Sequence, residues 1–234
     1  PEKVLVVVFC LGLLVGPACR ANAGWEQVSE ILSRIHAPQF PDRDFNITDY
    51  GAIGDGKTDC TEAFKKAISA AYQAGGGRVL VGTGSFLTGA IHLKSNVNLH
   101  VSEGAVIKFS VDPNRYLPAV YTRFEGVECM NYSPLVYAYE QENIAITGKG
   151  TLDGQASDEN WWRWKGTQAD DVKTLRNQGE AGVPVNKRVF GAGKKLRPNM
   201  IQPYKCKNVL IEGLTIRNSP MWHIHPVLST NVIV

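Results

Sequence analysis

Asn96-Val-Asn-Leu99, Asn143-Ile-Ala-Ile146, Asn208-Val-Leu-Ile211 and Asn231-Val-Ile-Val234 are four copies of one phrase, an asparagine leading an aliphatic run. They are spaced by 47, 65 and 23 residues. A spacing of 23 matches one turn of a parallel β-helix or similar solenoid, 47 is close to two turns, and 65 fits two turns plus an insertion. The polar, Trp-rich stretch near 156–195 is the expected insertion. Short β-branched segments such as RVLV, SFLTG and AVIKF alternate with turn residues around the phrases. A β-sandwich also brings strands every ~8–12 residues. Here, however, no Asn-Gly or Asp-Gly pair sits between alternating strands, since Asp55-Gly56 and Asp153-Gly154 lead into polar or helical sequence. The expected fold is all-β, a parallel β-helix whose coils bury their apolar faces only by stacking.

Working outward from these coils, two helices are expected before them. Residues 25–37 carry Val28, Ile31, Leu32 and Ile35 on one face. Residues 59–74 open with Asp59 and Glu62 in a capping-box spacing and end at Gly75-Gly76-Gly77. An N-terminal amphipathic helix capping the first coil is what an open-ended solenoid requires. At the front, residues 4–15 (VLVVVFCLGLLV) follow Lys3 and lead to Ala21-Asn22-Ala23, the layout of a secretory signal peptide. The run is shorter than the ~20 residues of a membrane span, and Gly16-Pro17-Ala18 fits a lipoprotein site at Cys19 poorly. The expected organisation is 1–23 signal peptide, 24–44 helix and linker, and 45–234 β-helix. The expected location is secreted or periplasmic, with no membrane partner once the signal is removed. The chain opens on Pro1 and stops inside a strand-like run, so it is expected to be the N-terminal part of a longer solenoid, truncated at its C-terminal end.

Composition narrows function. The 234 residues hold 25 Lys+Arg against 22 Asp+Glu, too small an excess for a general nucleic-acid binder. Of five Cys, Cys10 and Cys19 lie in the leader, and Cys60, Cys129 and Cys206 are too far apart for a disulfide scaffold or a metal cluster. Gly51-Ala-Ile-Gly-Asp-Gly-Lys-Thr58 satisfies the phosphate-loop pattern. Against it, Asp55 puts a carboxylate where phosphates would sit, the preceding FNITDY is too polar for a central parallel strand, and no apolar run ending in Asp follows. GKGTLDG (148–154) has the wrong glycine spacing for a dinucleotide turn. His223 and His225 fall on one face of a strand, but no third metal ligand stands near them. Asp170-Asp171 reads as a solvated pair. No metal and no cofactor is expected.

Lys187, Arg188, Lys194, Lys195, Arg197, Lys205 and Lys207 crowd a stretch without Asp or Glu. Trp161, Trp162 and Trp164 lie upstream and Trp222 downstream. Indole faces stack on sugar rings and cations pair with carboxylates, a combination suited to an acidic polysaccharide. A solvated charge run with core tryptophans is the plainer alternative.

FNITDYGAIGDGKTDCTEAFKKAISAA (45–71) resembles the N-terminal signature of pectin-degrading β-helix proteins. GKGTLDGQ with Asn160-Trp161-Trp162, and RPNMIQPYKCKNVLIEGLTIRNSPMWHIHPVLSTNVIV (197–234), resemble the polygalacturonases of glycoside hydrolase family 28, the latter its bacterial exo-acting members. The resemblance implies a right-handed parallel β-helix and inverting hydrolysis of α-1,4-linked galacturonate in polygalacturonate or pectin. The family's motifs N-[TN]-D, D-D, G-H-G and R-x-K are missing in context, Arg163-Trp164-Lys165 matching the last by letters only. No catalytic residue is therefore assigned, and the chain alone is expected to be inactive. Arg197, Trp222, His223 and His225 fall in matching segments and are the expected substrate-binding residues. A pectate lyase using calcium, or a β-helix that only binds polysaccharide, are the alternatives.

Overall fold

The computed structural model describes residues 24–234, so the expected leader lies outside the described residues. Two units are distinguished, Pro1–His36 and Ala37–Val234. In the first, a 3-10 turn at Gly24–Gln27 runs into helix α1, Val28–Ser33, shorter than the expected 25–37. Its Ile31 and Leu32 are exposed.

The second unit is a right-handed parallel β-helix. A six-stranded parallel sheet takes Asp44–Asn46, Gly77–Val81, Val97–Val101, Glu142–Gly148, Lys207–Glu212 and Thr230–Ile233. A five-stranded sheet takes Asp55–Asp59, Gly84–Thr88, Ala105–Phe109, Thr151–Asp153 and Thr215–Arg217. A three-stranded sheet takes Ile91–His92, Val136–Tyr139 and Ile201–Tyr204. Alternation along each strand sends every second side chain inward, and parallel register stacks like on like. Val79, Leu99, Ile146 and Ile211 form one such column. Phe86, Ile107, Leu152 and Ile216 form another. A fully buried aliphatic or Phe side chain contributes about 1.5–3 kcal/mol, so these columns are the main adhesion between coils.

The four asparagines of the repeated phrase stand in one file. Asn143 Nδ2 donates to Asn96 Oδ1 at 3.0 Å, Asn208 to Asn143 at 2.8 Å and Asn231 to Asn208 at 2.9 Å. All four have left-handed φ, 63°, 51°, 56° and 52°, a conformation that asparagine tolerates better than most residues. Each therefore turns the chain into the six-stranded sheet, and Asn143, Asn208 and Asn231 each bond the coil before. This file corrects the expected period. Consecutive asparagines belong to adjacent coils, and the spacings of 47 and 65 arise from excursions at 110–135 and 154–200, not from skipped turns. The second excursion runs through the polar, Trp-rich stretch at 156–195.

The helix that covers the apolar end is α2, Thr61–Gln73, with Ala63, Phe64, Ala67, Ile68 and Ala71 buried. It begins at Thr61 rather than at Asp59, whose Oδ1 accepts from the Thr61 amide at 3.0 Å. The excursion 154–200 carries Trp161–Gly166, helix α3 (Ala169–Glu180) and the short strand Val189–Phe190. The excursion 110–135 carries an antiparallel hairpin, Val120–Phe124 with Val127–Asn131, which no Asn-Gly or Asp-Gly pair marks in the sequence. Its turn is Glu125-Gly126, at φ 43° and 89°, so a glutamate stands where asparagine or aspartate is usual.

Candidate functional site

Ile91, Val136, Ala138 and Ile201 point into the core, so the alternate residues of the three-stranded sheet face outward. His92 pairs in register with Tyr137, and Tyr137 with Gln202. An isolated bridge from Ile201 to Ile224 extends the row to His225. The hairpin lies across this row. Tyr137 donates to the Tyr121 carbonyl at 2.5 Å, Thr122 donates to Gln202 Oε1 at 2.7 Å, and Tyr204 donates to Glu128 Oε1. The Tyr121 and Tyr204 rings meet edge to face at 5.4 Å.

His225 is the most defined polar group on the open side of the hairpin. Its Nδ1 lies 2.9 Å from Asn199 Nδ2 and 3.3 Å from Gln202 Nε2. Both amides are oriented by a second bond. Asn199 Oδ1 accepts from the Trp222 backbone N–H at 3.3 Å, and Gln202 Oε1 accepts from Thr122. Each therefore turns its NH₂ toward His225, which makes Nδ1 an acceptor and leaves the proton on Nε2. Burial holds the imidazole below its ordinary pKa, and the Arg123 guanidinium lowers it further. The result is a neutral ring with an N–H to offer. The Trp222 indole stands edge-on to it at 4.4 Å and is 45% exposed. His223 is exposed, and its carbonyl accepts from Ile201 N at 3.0 Å.

Arg197 is placed differently. Its side chain is buried, Nη1 donates to the Pro220 carbonyl at 2.6 Å, and Nε reaches Gln168 Oε1 at 3.3 Å. It ties α3's amino end to the loop that carries Trp222. The basic run does not form one surface. Arg188 is spent on the Val183 and Glu128 carbonyls, Lys194 pairs with Asp171 at 3.1 Å, and Lys205 lies over Tyr121 and near Glu140. Trp161 is buried, Trp162 donates to the Ser219 carbonyl at 2.9 Å, and Trp164 packs on Trp161, so these indoles anchor the insertion.

The phosphate-loop look-alike is filled by its own carboxylate. Asp55 accepts from the Lys57 and Thr58 amides and the Thr58 hydroxyl, all at 2.8 Å, and these bonds take its pKa down to about 2. A strand, Asp55–Asp59, occupies the place of the required helix. Cys60, Cys129 and Cys206 are buried free thiols. Among the described residues, no three His, Cys, Asp or Glu side chains gather as metal ligands, and no helix is long and apolar enough to cross a membrane. Asn199, Gln202 and Thr122 were not foreseen. The legible signal was Gln202, a polar residue inside the apolar run Met200-Ile-Gln-Pro-Tyr204.

The family model described as Rhamnogalacturonase A/epimerase, pectate lyase-like matches residues 45–109. A hyperthermoactive exopolygalacturonase from Thermotoga maritima is 56% identical and superposes with a TM-score of 0.86 over 89% of this chain and 49% of that one. The chain is polygalacturonase-like. A probable polygalacturonase of Vitis vinifera is 30% identical over 243 residues, covering 99% of this chain and 43% of its own length. The exo-poly-alpha-D-galacturonosidase of Dickeya chrysanthemi is 31% identical over 215 residues, 80% of this chain and 34% of its own. This polygalacturonase-like chain thus spans less than half the length of these relatives.

Proposed function

We propose that the protein containing these residues is exported and hydrolyses α-1,4 bonds of galacturonan from a chain end, without a cofactor and with inversion. The observation that carries this is the pair formed by Trp222 and His225. An exposed indole suits the apolar face of a sugar, and a neutral imidazole offers Nε2–H to a hydroxyl or carboxylate. His223, between them in sequence and exposed, joins them as a contact in this reading, and Arg197 holds their loop through Pro220. The hairpin that crosses the row closes the groove on one side, which fits a chain end better than a chain interior.

Inversion needs one carboxyl group to protonate the leaving oxygen and another, well separated, to activate water on the opposite face. The side chains bonded to His225 are amides, Asn199 and Gln202. In this reading the proton-moving acids are supplied by residues outside the 234, and the chain alone binds substrate without turning it over.

The test is to incubate full-length protein with polygalacturonate and follow products. Reducing sugar without absorbance of an unsaturated uronate is expected. Unsaturated product would replace this reading with a lyase, and retention on the polymer with no product would make it a binding module. Trp222→Ala should raise KM by about fivefold for a stacking contribution near 1 kcal/mol. Galacturonate release by the 234-residue chain near a full-length relative's rate would refute the placement of the acids.

A further inference from the structure

On the other side of the hairpin, α2 and the strand Ile91–His92 enclose a cleft of about 360 Å³. Three cations reach it from three separate elements: Lys65 from α2, Lys94 from the turn after the strand, and Arg115 from the excursion 110–135. Arg115 is held by Asp59 at 2.6 Å, and Lys94 Nζ lies 5.0 Å over the Tyr72 ring. Lys65 is largely exposed, with Glu62 at 3.5 Å. Ile68, Ile91 and Leu117 give the lining an apolar part, Ser69 adds a hydroxyl, Glu62 lines the cleft beside Lys65, and the Thr61 hydroxyl is already engaged with Asp59 and the Gly89 amide. Cations beside an apolar surface with a hydroxyl match the parts of a uronic acid: a carboxylate, a C–H face and ring hydroxyls.

The cleft is separate from the site at His225. Strands in a sheet lie ~4.8 Å apart, so the row from His92 to His225 spans about 14 Å. Tyr137, in the middle, is only 6% exposed because the hairpin covers it. A chain seated on Trp222 and His225 therefore cannot continue along the sheet into this cleft.

We propose that the cleft is a second, non-catalytic uronate site that anchors a remote stretch, or another strand, of the same acidic polysaccharide. This rests on the function proposed above.

The experiment measures retardation of the protein in gels containing polygalacturonate or neutral galactan, with the wild type, Trp222→Ala, Lys65→Glu/Lys94→Glu, and all three substitutions together. Loss of one charge-assisted contact weakens binding by roughly tenfold. The lysine pair should lower affinity for polygalacturonate by at least that, add to the effect of Trp222→Ala, and leave galactan behaviour unchanged. In the Trp222→Ala background, added digalacturonate should still shift the His92 imidazole proton signals. Unchanged retardation of a lysine-pair variant with a wild-type melting curve would overturn the inference alone. An equal loss of affinity for inorganic phosphate would also overturn it, as unspecific charge attraction. Failure of the wild type to bind polygalacturonate at all would instead sink the proposed function.

Discussion

Replacing Asn143 by alanine is the sharpest probe of what holds the coils in register. The side chain donates to Asn96 at 3.0 Å and accepts from Asn208 at 2.8 Å, so two amide bonds disappear together. Each is worth about 1 kcal/mol net. The backbone stays at φ 51°, where alanine lacks asparagine's tolerance and costs about 1 kcal/mol more. The total is near 3 kcal/mol. At 2–4 °C per kcal/mol for a chain of this size, Tm should fall by about 6–12 °C. Asn231→Ala supplies the internal scale. It removes a single, exposed ladder bond and should cost about 1 kcal/mol less. Thermal unfolding followed by far-UV circular dichroism, with urea titration at one temperature, reads both. Equal and small shifts for the two variants, within about 1 °C, would show that the aliphatic columns alone set the register.

Gly148→Ala should prevent folding or cost several kcal/mol, because its φ of 113° is hostile to a side chain and a Cβ would lie 2.0 Å from the Val101 carbonyl oxygen; soluble expression at the wild-type level would contradict the packing described. Tyr204→Phe removes the hydroxyl that holds Glu128, so the hairpin should open more often at a cost of about 1.5 kcal/mol, and limited proteolysis near Glu125-Gly126 should accelerate about tenfold; an unchanged cleavage rate would refute the latch. Burial depresses His92, His100 and His225, with Arg78 assisting at His100 and Arg123 at His225. The unfolded chain therefore takes up protons first, and stability present above pH 6.5 should be lost as pH falls through the folded values. Urea midpoints measured downward from pH 7.5 should decline from about pH 6.5, and less steeply in His225→Gln; parallel profiles would exclude His225 as a contributor.

The asparagine phrase exposed the solenoid because the same left-handed turn is required at each coil, and few residues meet it cheaply. It does not carry the count of turns, because spacing along the chain cannot separate a skipped coil from an excursion. The hairpin escaped notice for a related reason. Glu125-Gly126 uses a glutamate at positive φ, and the strands pair with each other while packing on the Tyr137 and Tyr204 rings, a contact invisible to local pattern. The basic run from Lys187 to Lys207 looked continuous, yet the chain there leaves the insertion, crosses the sheet and turns. Neighbours in sequence thus face different surroundings, while Trp222 and His225 stay packed against each other on the open side of the hairpin. The tryptophans at 161–164 were readable as either wall or core, and burial of Trp161 settles that position as core.

The connections between sheets are unequal in a way that matters beyond this chain. Passage from the six-stranded to the five-stranded sheet takes only a few residues, as at 82–83 and 213–214, and passage back into the six-stranded sheet is similarly tight, as at 140–141. Both long excursions leave from one remaining corner, after Phe109 and after Asp153. Evolution can therefore lengthen, shorten or exchange segments at that corner without paying in coil register, because the amide file on the opposite side re-zeroes every turn. The stack behaves as a fixed spindle with one free edge, on which new surfaces can be grown.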